Sequence, residues 1–298
     1  MTALPQHVRI VEVGPRDGLQ NEKTFLPTPL KIELIDRLSD TGLQTIEATS
    51  FVSPKWVPQT ADAADVYTSI KKVPGVRYPV LVPNLQGYER ARAVGVAEIA
   101  VFTAASEAFN RKNINVSIDE SIERFTPVIE RAKADNVAVR GYVSTVLGCP
   151  YQGEVAVADV VRVARRLHAL GCYEVSLGDT IGIGTPAKAR AMLAAVAEQV
   201  PITALAVHFH DTRGQALANI LACLELGVAV VDSSVSGVGG CPYAHGTTGN
   251  VASEDVVYML HGMGISTGIE LEKLVETGRW LSVQLNRANN SKVGLAAA

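Results

Sequence analysis

Eight short apolar runs, rich in β-branched residues, recur at fairly even intervals along the chain and constrain its fold most strongly. Runs of this kind are typical of strands that are buried on both faces, as in parallel sheets. The runs cover residues 8–13, 45–50, 78–82, 98–103, 139–144, 173–177, 204–209 and 230–235.

Segments with helical periodicity lie between many of these runs. In the first segment, four apolar side chains share one stripe, and Gly42 follows as a C-terminal stop. Alternating strands and helices predict parallel strands joined by crossover helices, and eight strands within roughly 240 residues predict an α/β fold of the (βα)₈ TIM-barrel type. The segments cover residues 29–41, 121–134, 157–170, 188–200 and 216–226.

The competing fold is a doubly wound parallel sheet. Such a sheet often has a glycine-rich first turn that binds a dinucleotide, and the first turn here, residues 14–18, lacks that fingerprint. No linker-like stretch divides the chain. We therefore expect a single catalytic domain over residues 1–298, with the barrel over about 8–250 and additional C-terminal helices over about 252–293.

The composition argues against several other classes of protein. Hydrophobic residues make up 47% of the chain, enough for a large core, and 27 basic against 30 acidic residues give a net charge of −3. Because there is also no block of Lys and Arg, we expect no nucleic-acid partner. No apolar run approaches the roughly 18 residues of a membrane span, and the N-terminus lacks a secretory signal pattern, so we expect a cytoplasmic protein.

The seventh run carries the clearest chemical signal, a His-x-His pair. On a strand, His208 and His210 project from the same face, here near the top of the barrel interior, where they favour metal ligation over two ordinary core histidines. Asp17, just past the first run, is a candidate oxygen ligand or a turn residue. Two imidazoles with oxygen ligands favour Mg²⁺ or Mn²⁺ over tetrahedral zinc.

Charged residues near three strand ends are further candidates. Arg16 places a fixed cation at the same mouth, either to bind an oxyanion or to form a surface salt bridge. Glu47 lies inside the second run, where a carboxylate needs a partner, and Arg16 is its natural partner. Asp179 ends the sixth run and fits either the site or the N-terminal cap of the next turn.

A glycine-rich loop follows the eighth run, over residues 237–250. We interpret it as a lid that closes over substrate and delivers the thiol of Cys241 as an acid or base; an ordinary loop is the alternative. The string Gly-Cys-Pro-Tyr also occurs at Cys149, so only the surrounding glycines favour Cys241. Asn250 ends the loop as a side-chain oxygen ligand or a helix cap.

Several of these motifs resemble those of the 3-hydroxy-3-methylglutaryl-CoA (HMG-CoA) lyase family, and the resemblance is nearly colinear from about residue 8 to 293. The Gly-Gly-Cys-Pro-Tyr loop is specific to that lyase, whereas the Arg-Asp and His-x-His pattern also occurs in isopropylmalate and homocitrate synthases and in the carboxyltransferase domain of pyruvate carboxylase. The matching segments cover residues 11–22, 49–58, 176–182, 208–219 and 236–258.

The resemblance implies roles for individual residues of this chain. Arg16 would be the catalytic cation and Cys241 the thiol of the lid, while either Asp17 or His208 would take the hydroxyl proton of the substrate. The family's divalent cation, Mg²⁺ or Mn²⁺, would be held by Asp17, His208, His210 and Asn250. The supporting acidic residues would be Glu47, Asp179 and Glu254.

The implied reaction is the retro-Claisen cleavage of HMG-CoA to acetyl-CoA and acetoacetate, as in leucine catabolism and ketone-body formation. The implied partner is the acyl-CoA substrate, and the implied assembly is a homodimer. Three alternatives stay open: a condensing acyl-CoA synthase, a lyase for a longer branched 3-hydroxyglutaryl-CoA analogue, and a non-catalytic acyl-CoA-binding protein. The last is disfavoured because Arg16, the metal ligands and Cys241 are all present.

Overall fold

The computed structural model describes residues 4–20, 22–240 and 249–297, and within these ranges nine parallel strands form one sheet. Along the sheet the strands follow the order β2-β1-β9-β8-β7-β6-β5-β4-β3. Their bounds are β1 Arg9–Glu12, β2 Thr45–Ile46, β3 Thr49–Ser50, β4 Val80–Leu81, β5 Glu98–Ala104, β6 Ala138–Ser144, β7 Glu174–Asp179, β8 Leu205–Phe209 and β9 Val230–Ser233.

The two strands at the ends of this order, β2 and β3, are parts of one predicted strand, interrupted only at Glu47 and Ala48. The Glu47 backbone N–H donates to the carbonyl of Glu12 at 2.8 Å on one side, and the Ala48 N–H donates to the carbonyl of Pro79 at 2.9 Å on the other. The interrupted strand therefore closes the sheet into a ring with eight strand positions. The predicted TIM-barrel fold is confirmed.

The described residues also form eleven α-helices, including all five segments predicted from periodicity. Helices α2, α3 and α4 were not predicted; they have only seven to nine residues each. The bounds are α1 Thr28–Ser39, α2 Ala63–Ser69, α3 Leu85–Ala93, α4 Glu107–Ile114, α5 Ile118–Ala134, α6 Val157–Leu170, α7 Pro186–Ala197, α8 Ala216–Leu224, α9 Ser253–Gly262, α10 Leu271–Gln284 and α11 Lys292–Ala296.

Helix α6 shows why these sequences form a layer of helices around the sheet. Its residues Val160, Val163, Ala164 and Leu167 follow the spacing of one helical face, and all four are fully buried. Burial of a Val or Leu side chain stabilises the fold by about 1.5–3 kcal/mol. The helix ends at Gly171, whose φ of 117° lies in the left-handed region that glycine tolerates.

The predicted C-terminal helices are α9, α10 and α11. Asp255 of α9 accepts hydrogen bonds from the Ser291 hydroxyl at 2.7 Å and from the Val293 N–H at 2.8 Å, which holds the start of α11. The hydroxyls of Ser236 and Ser282 lie 2.7 Å apart and connect α10 to the turn after β9. None of the helices in the described ranges is both long and apolar enough to cross a membrane.

Candidate active site

The carboxyl ends of the strands surround a cavity of about 660 Å³. Residues that follow or end β1, β6, β7 and β8 contribute to its wall, as expected for the functional face of a TIM barrel. Among the lining residues are Arg16, Asp17, Tyr142, His208 and His210. The structure therefore brings four of the sequence-predicted site residues to one cavity, together with a tyrosine that the sequence analysis did not single out.

Arg16 is held by carboxylates on two sides. Its Nε donates to Oε2 of Glu47 at 2.8 Å, and one terminal nitrogen donates to Oδ1 of Asp17 at 2.8 Å. Arg16 is 6% exposed and Glu47 is fully buried. The ion pair predicted between Arg16 and Glu47 is thus present, and it fixes the guanidinium at the mouth of the cavity.

Tyr142 of β6 completes the support of this arginine. Its hydroxyl donates to the same Oε2 of Glu47 at 3.1 Å, and the Arg16 guanidinium carbon lies 5.3 Å from its ring centroid. Burial raises the pKa of Glu47 despite the neighbouring Arg16 charge. Burial and the Glu47 charge also raise the pKa of Tyr142, so its hydroxyl stays a donor.

Asp17, His208 and His210 form the candidate metal centre. One ligand atom of each lies within 4.8 Å of the others, and Nε2 of His208 is 3.9 Å from Oδ2 of Asp17. The alternation of side chains along β8 and its extension brings both imidazoles to the same side, with ring centroids 5.5 Å apart. The predicted convergence of the two histidines and Asp17 is therefore observed.

The electrostatics of this centre suit a cation. Burial alone would raise the pKa of Asp17, but the charges of Arg16 and His208 lower it to about 2, so the side chain is a carboxylate. Burial and the His208 charge lower the pKa of His210 to about 4, which keeps its imidazole neutral at pH 7. Nδ1 of His210 is buried without a hydrogen-bond partner among the described residues. A carboxylate and a neutral imidazole with an unpartnered buried nitrogen fit a divalent ion.

Asn250 lies against this centre. Its amide donates to Oδ2 of Asp17 at 2.9 Å and to the carbonyl of Val238 at 3.2 Å, and its backbone forms a bridge with His210. The structure therefore places this fourth predicted ligand beside the first three. Its partner here is the Asp17 carboxylate, so the amide oxygen and nitrogen would exchange places for oxygen ligation.

Two predicted acidic residues lie away from the cavity wall. Asp179 is fully buried, and its carboxylate accepts the backbone N–H groups of Gly184 at 2.8 Å and Ile183 at 3.3 Å. Glu254 is fully buried too, and both its oxygens accept the N–H of Ser236, at 3.0 and 2.9 Å. Burial raises the pKa of Asp179, and burial raises that of Glu254 to about 8. Both carboxyl groups therefore accept hydrogen bonds from the backbone of turns. For Asp179, this contact corresponds to the second of its two interpretations from the sequence, a cap for the next turn.

Both described parts of the glycine-rich loop lie close to the candidate site. Gly240 lines it, and Asn250 lies against Asp17. Cys241, the predicted thiol of the lid, lies outside the described residues. Cys149, in the second Gly-Cys-Pro-Tyr string, is buried, and its sulfur lies 2.9 Å from the hydroxyl of Ser106.

A closed eight-stranded barrel with a candidate metal centre and a buried arginine at the carboxyl ends of its strands defines a TIM-barrel enzyme. The chain belongs to the HMGL-like family, which matches residues 7–281. It is 62% identical over 295 residues to a protein of Gallus gallus named mitochondrial hydroxymethylglutaryl-CoA lyase, covering 99% of each chain.

Solved structures agree with this assignment. The hydroxymethylglutaryl-CoA lyase of Pseudomonas aeruginosa is 57% identical, with a TM-score of 0.97 over 99% of this chain and 98% of that one. An HMG-CoA lyase described as from Acenitobacter baumannii, solved in complex with coenzyme A and 3-methylmalate, is 36% identical, with a TM-score of 0.94 over 99% of this chain and 97% of that one.

Proposed function

We propose that this protein is a divalent-metal-dependent carbon–carbon lyase that cleaves HMG-CoA to acetyl-CoA and acetoacetate. The observation that carries the proposal is the convergence of Asp17, His208 and His210 beside Arg16 at one cavity. The family and its lyase relatives support the same reaction. An acyl-CoA substrate is supported by the coenzyme A complex of the relative described above.

Asp17, His208, His210 and Asn250 would hold the metal ion. Carboxylate and amide oxygens beside two imidazoles favour Mg²⁺ or Mn²⁺. When bound, the ion would supply Lewis-acid polarisation that acidifies the C3 hydroxyl of the substrate. Asp17 or His208 would accept the hydroxyl proton, because both side chains line the cavity that would hold the substrate.

Arg16 would stabilise the negative charge that develops as the C2–C3 bond breaks. The charge moves to the thioester oxygen, which becomes an enolate, and a fixed guanidinium aimed at that oxygen lowers the barrier. Glu47 and Tyr142 would hold Arg16 in place, since Glu47 accepts a hydrogen bond from its Nε and the Tyr142 ring lies against its guanidinium. Because these contacts hold the Arg16 side chain, its guanidinium would not have to move as the negative charge develops.

The carbanion left on the acetyl fragment needs a proton. Cys241 would deliver it from the glycine-rich loop, whose first described end, Gly240, lines the cavity. Asp179 and Glu254 would support the site indirectly by holding the turns after β7 and β9 through backbone N–H groups. The base and the proton donor would therefore be different groups.

The decisive assay incubates the purified protein with HMG-CoA, with and without EDTA, and measures acetoacetate. We expect acetoacetate only without the chelator, and restoration on adding Mg²⁺ or Mn²⁺ in excess. Acetyl-CoA with 2-oxo acids tests the synthase alternative, which predicts release of free coenzyme A. Longer branched 3-hydroxyglutaryl-CoA analogues test the other lyase alternative through their kcat/KM relative to HMG-CoA. Metal-independent cleavage, or condensation without cleavage, would overturn the proposal.

The predicted homodimer and the predicted cytoplasmic location stay predictions. Light scattering on the purified full chain measures the assembly directly, and a homodimer has twice the mass of one chain. Fractionation of the source cells measures the location.

A further inference from the structure

His208 contacts a second carboxylate besides that of Asp17. Its Nδ1 lies 3.3 Å from Oδ2 of Asp232, a residue of β9 that is paired with His208 in the parallel register of β8 and β9. Asp232 is only 1% exposed and does not line the cavity. It therefore lies behind the imidazole, on the side opposite the candidate metal centre.

Asp232 is anchored by a buried network. Arg140 donates to its two carboxylate oxygens at 2.7 and 3.0 Å, and the hydroxyl of Ser176 donates to Oδ2 at 2.7 Å. Arg140 also pairs with Glu174 at 2.7 Å, and Glu174 in turn contacts Arg9. The charges of the two arginines equal those of the two carboxylates, Glu174 and Asp232. Asp232 can therefore be ionised although it is buried, and its position is fixed.

This arrangement constrains the imidazole of His208. An ionised carboxylate has no proton to donate, so a hydrogen bond to it requires the proton to be on Nδ1 of His208. The other nitrogen, Nε2, then carries the lone pair, and it is the atom that faces Asp17 at 3.9 Å. Histidines that bind metals commonly donate their second N–H to a carboxylate in this way.

We propose that Asp232 is a positioning residue that holds His208 in the Nδ1-protonated form and keeps its Nε2 turned toward Asp17 and the candidate metal centre. The proposal rests on the proposed metal site but concerns the tautomer and orientation of one imidazole. His210 shows the contrast, because its Nδ1 has no partner among the described residues. The two histidines of the His-x-His pair thus differ in whether their Nδ1 has a hydrogen-bond partner among the described residues.

The first test is nitrogen NMR of the wild-type protein with ¹⁵N-labelled histidine, stripped of metal, at alkaline pH where the imidazoles are neutral. We expect the His208 signals to show a proton on Nδ1, and we assign them by comparison with His208→Gln. A proton on Nε2 of His208 would overturn the proposal, whether or not the protein binds metal. Failure of the wild-type protein to bind Mn²⁺ would overturn the proposed metal site instead.

The second test compares charge-balanced double variants. Asp232→Leu with Arg140→Met removes the acceptor behind His208, whereas Arg9→Met with Glu174→Gln removes the other ion pair of the network and leaves Asp232 in place. Mn²⁺ binding, followed by electron paramagnetic resonance, should weaken about 10–100-fold in the first variant and stay at the wild-type level in the second. Equal weakening in both would show a general packing effect and overturn the positioning role.

Arg140 also lies 4.9 Å from the Tyr142 ring centroid, so the double variant removes a contact of Tyr142 as well as the Asp232 carboxylate. The single variant Arg140→Met distinguishes these two effects on His208. If Asp232 is the positioning residue, this single variant keeps the Nδ1 proton on His208, and only the variant that also carries Asp232→Leu loses it. The same tautomer in both variants would contradict the proposal. Circular dichroism establishes that each variant is folded. If a variant is not folded, the nitrogen NMR spectrum of the wild-type protein still tests whether Nδ1 of His208 carries the proton.

Discussion

Nε and one terminal nitrogen of Arg16 both lie close to a single carboxylate oxygen of Glu47, at 2.8 and 2.7 Å. This fork geometry fixes the plane of the guanidinium and leaves the nitrogen that contacts Asp17 on the side of the metal centre. A lysine in the same place would keep the charge but could not make both contacts, because its single ammonium group lacks the planar fork.

Arg16→Lys should therefore lower kcat by at least about 100-fold, a loss in the range found when one donor to a developing oxyanion is removed. The measurement is steady-state acetoacetate production from HMG-CoA. Arg37→Lys is the matched control, since Arg37 forms an exposed pair with Glu33 on helix α1, and its turnover should equal that of the wild type. Near-normal turnover of Arg16→Lys would remove Arg16 from the chemistry.

His210→Ala should weaken Mn²⁺ binding and abolish the recovery of activity that excess Mn²⁺ gives after EDTA treatment. The reason is that the variant removes one of the three side chains whose ligand atoms converge. Calorimetric titration of the metal-free protein measures the affinity. His7→Ala is the control, because His7 is exposed and bonds Ser266 far from the cavity. Unchanged Mn²⁺ affinity in His210→Ala would exclude this histidine as a ligand.

The fold was predictable because the same sequence pattern recurs many times along the chain. Eight apolar runs and the intervening helical stripes all demand the same parallel arrangement, so an error in one run, such as the interruption of residues 45–50 at Glu47, does not change the topology. Short helices such as α3 escaped prediction since their stripes are brief. The convergence of Asp17 with the two histidines was predictable because the carboxyl ends of parallel strands meet at one face.

The supporting residues were harder to predict from sequence. Tyr142 and Asp232 lie inside buried strands, and the sequence alone does not reveal that Tyr142 reaches Glu47 or that Asp232 reaches His208. One signal was present: polar side chains alternate along β6 at Arg140, Tyr142 and Ser144, which marks an interior polar face. Asp179 had two interpretations because strand-end carboxylates bind either ligands or backbone, and only geometry distinguishes them.

Glu12→Gln tests a buried carboxyl group beneath the site. Burial raises the pKa of Glu12 from its ordinary 4.5 to about 7, against hydrogen bonds from Ser253, Val235 and Gly14 that lower it. Because the folded protein holds this proton more tightly than the unfolded chain, stability from Glu12 is fully present below pH 4.5. This contribution to stability is lost as the pH rises from 4.5 through about 7. A shift of this size corresponds to about 3 kcal/mol.

Glutamine carries no titrating proton, so the free energy of unfolding of Glu12→Gln relative to the wild type should increase by about 3 kcal/mol between pH 4.5 and pH 8. Urea unfolding of both proteins at the two pH values measures it. Glu33→Gln, on the exposed face of α1, shows how much pH dependence an ordinary exchange of this kind produces. A relative stability of Glu12→Gln that is constant with pH, or that falls as pH rises, would contradict the direction of the shift.

Asp179→Asn distinguishes support of a turn from a direct part in the reaction. The carboxylate accepts the N–H groups of Gly184 and Ile183, and an amide group offers only one acceptor oxygen where two are used. Loss of a hydrogen bond to a charged group costs about 1.5–3 kcal/mol, so the free energy of unfolding should fall by that amount. Mn²⁺ affinity should stay within about threefold of the wild type, since Asp179 does not line the cavity. A large loss of metal affinity with unchanged stability would instead make Asp179 a member of the metal centre.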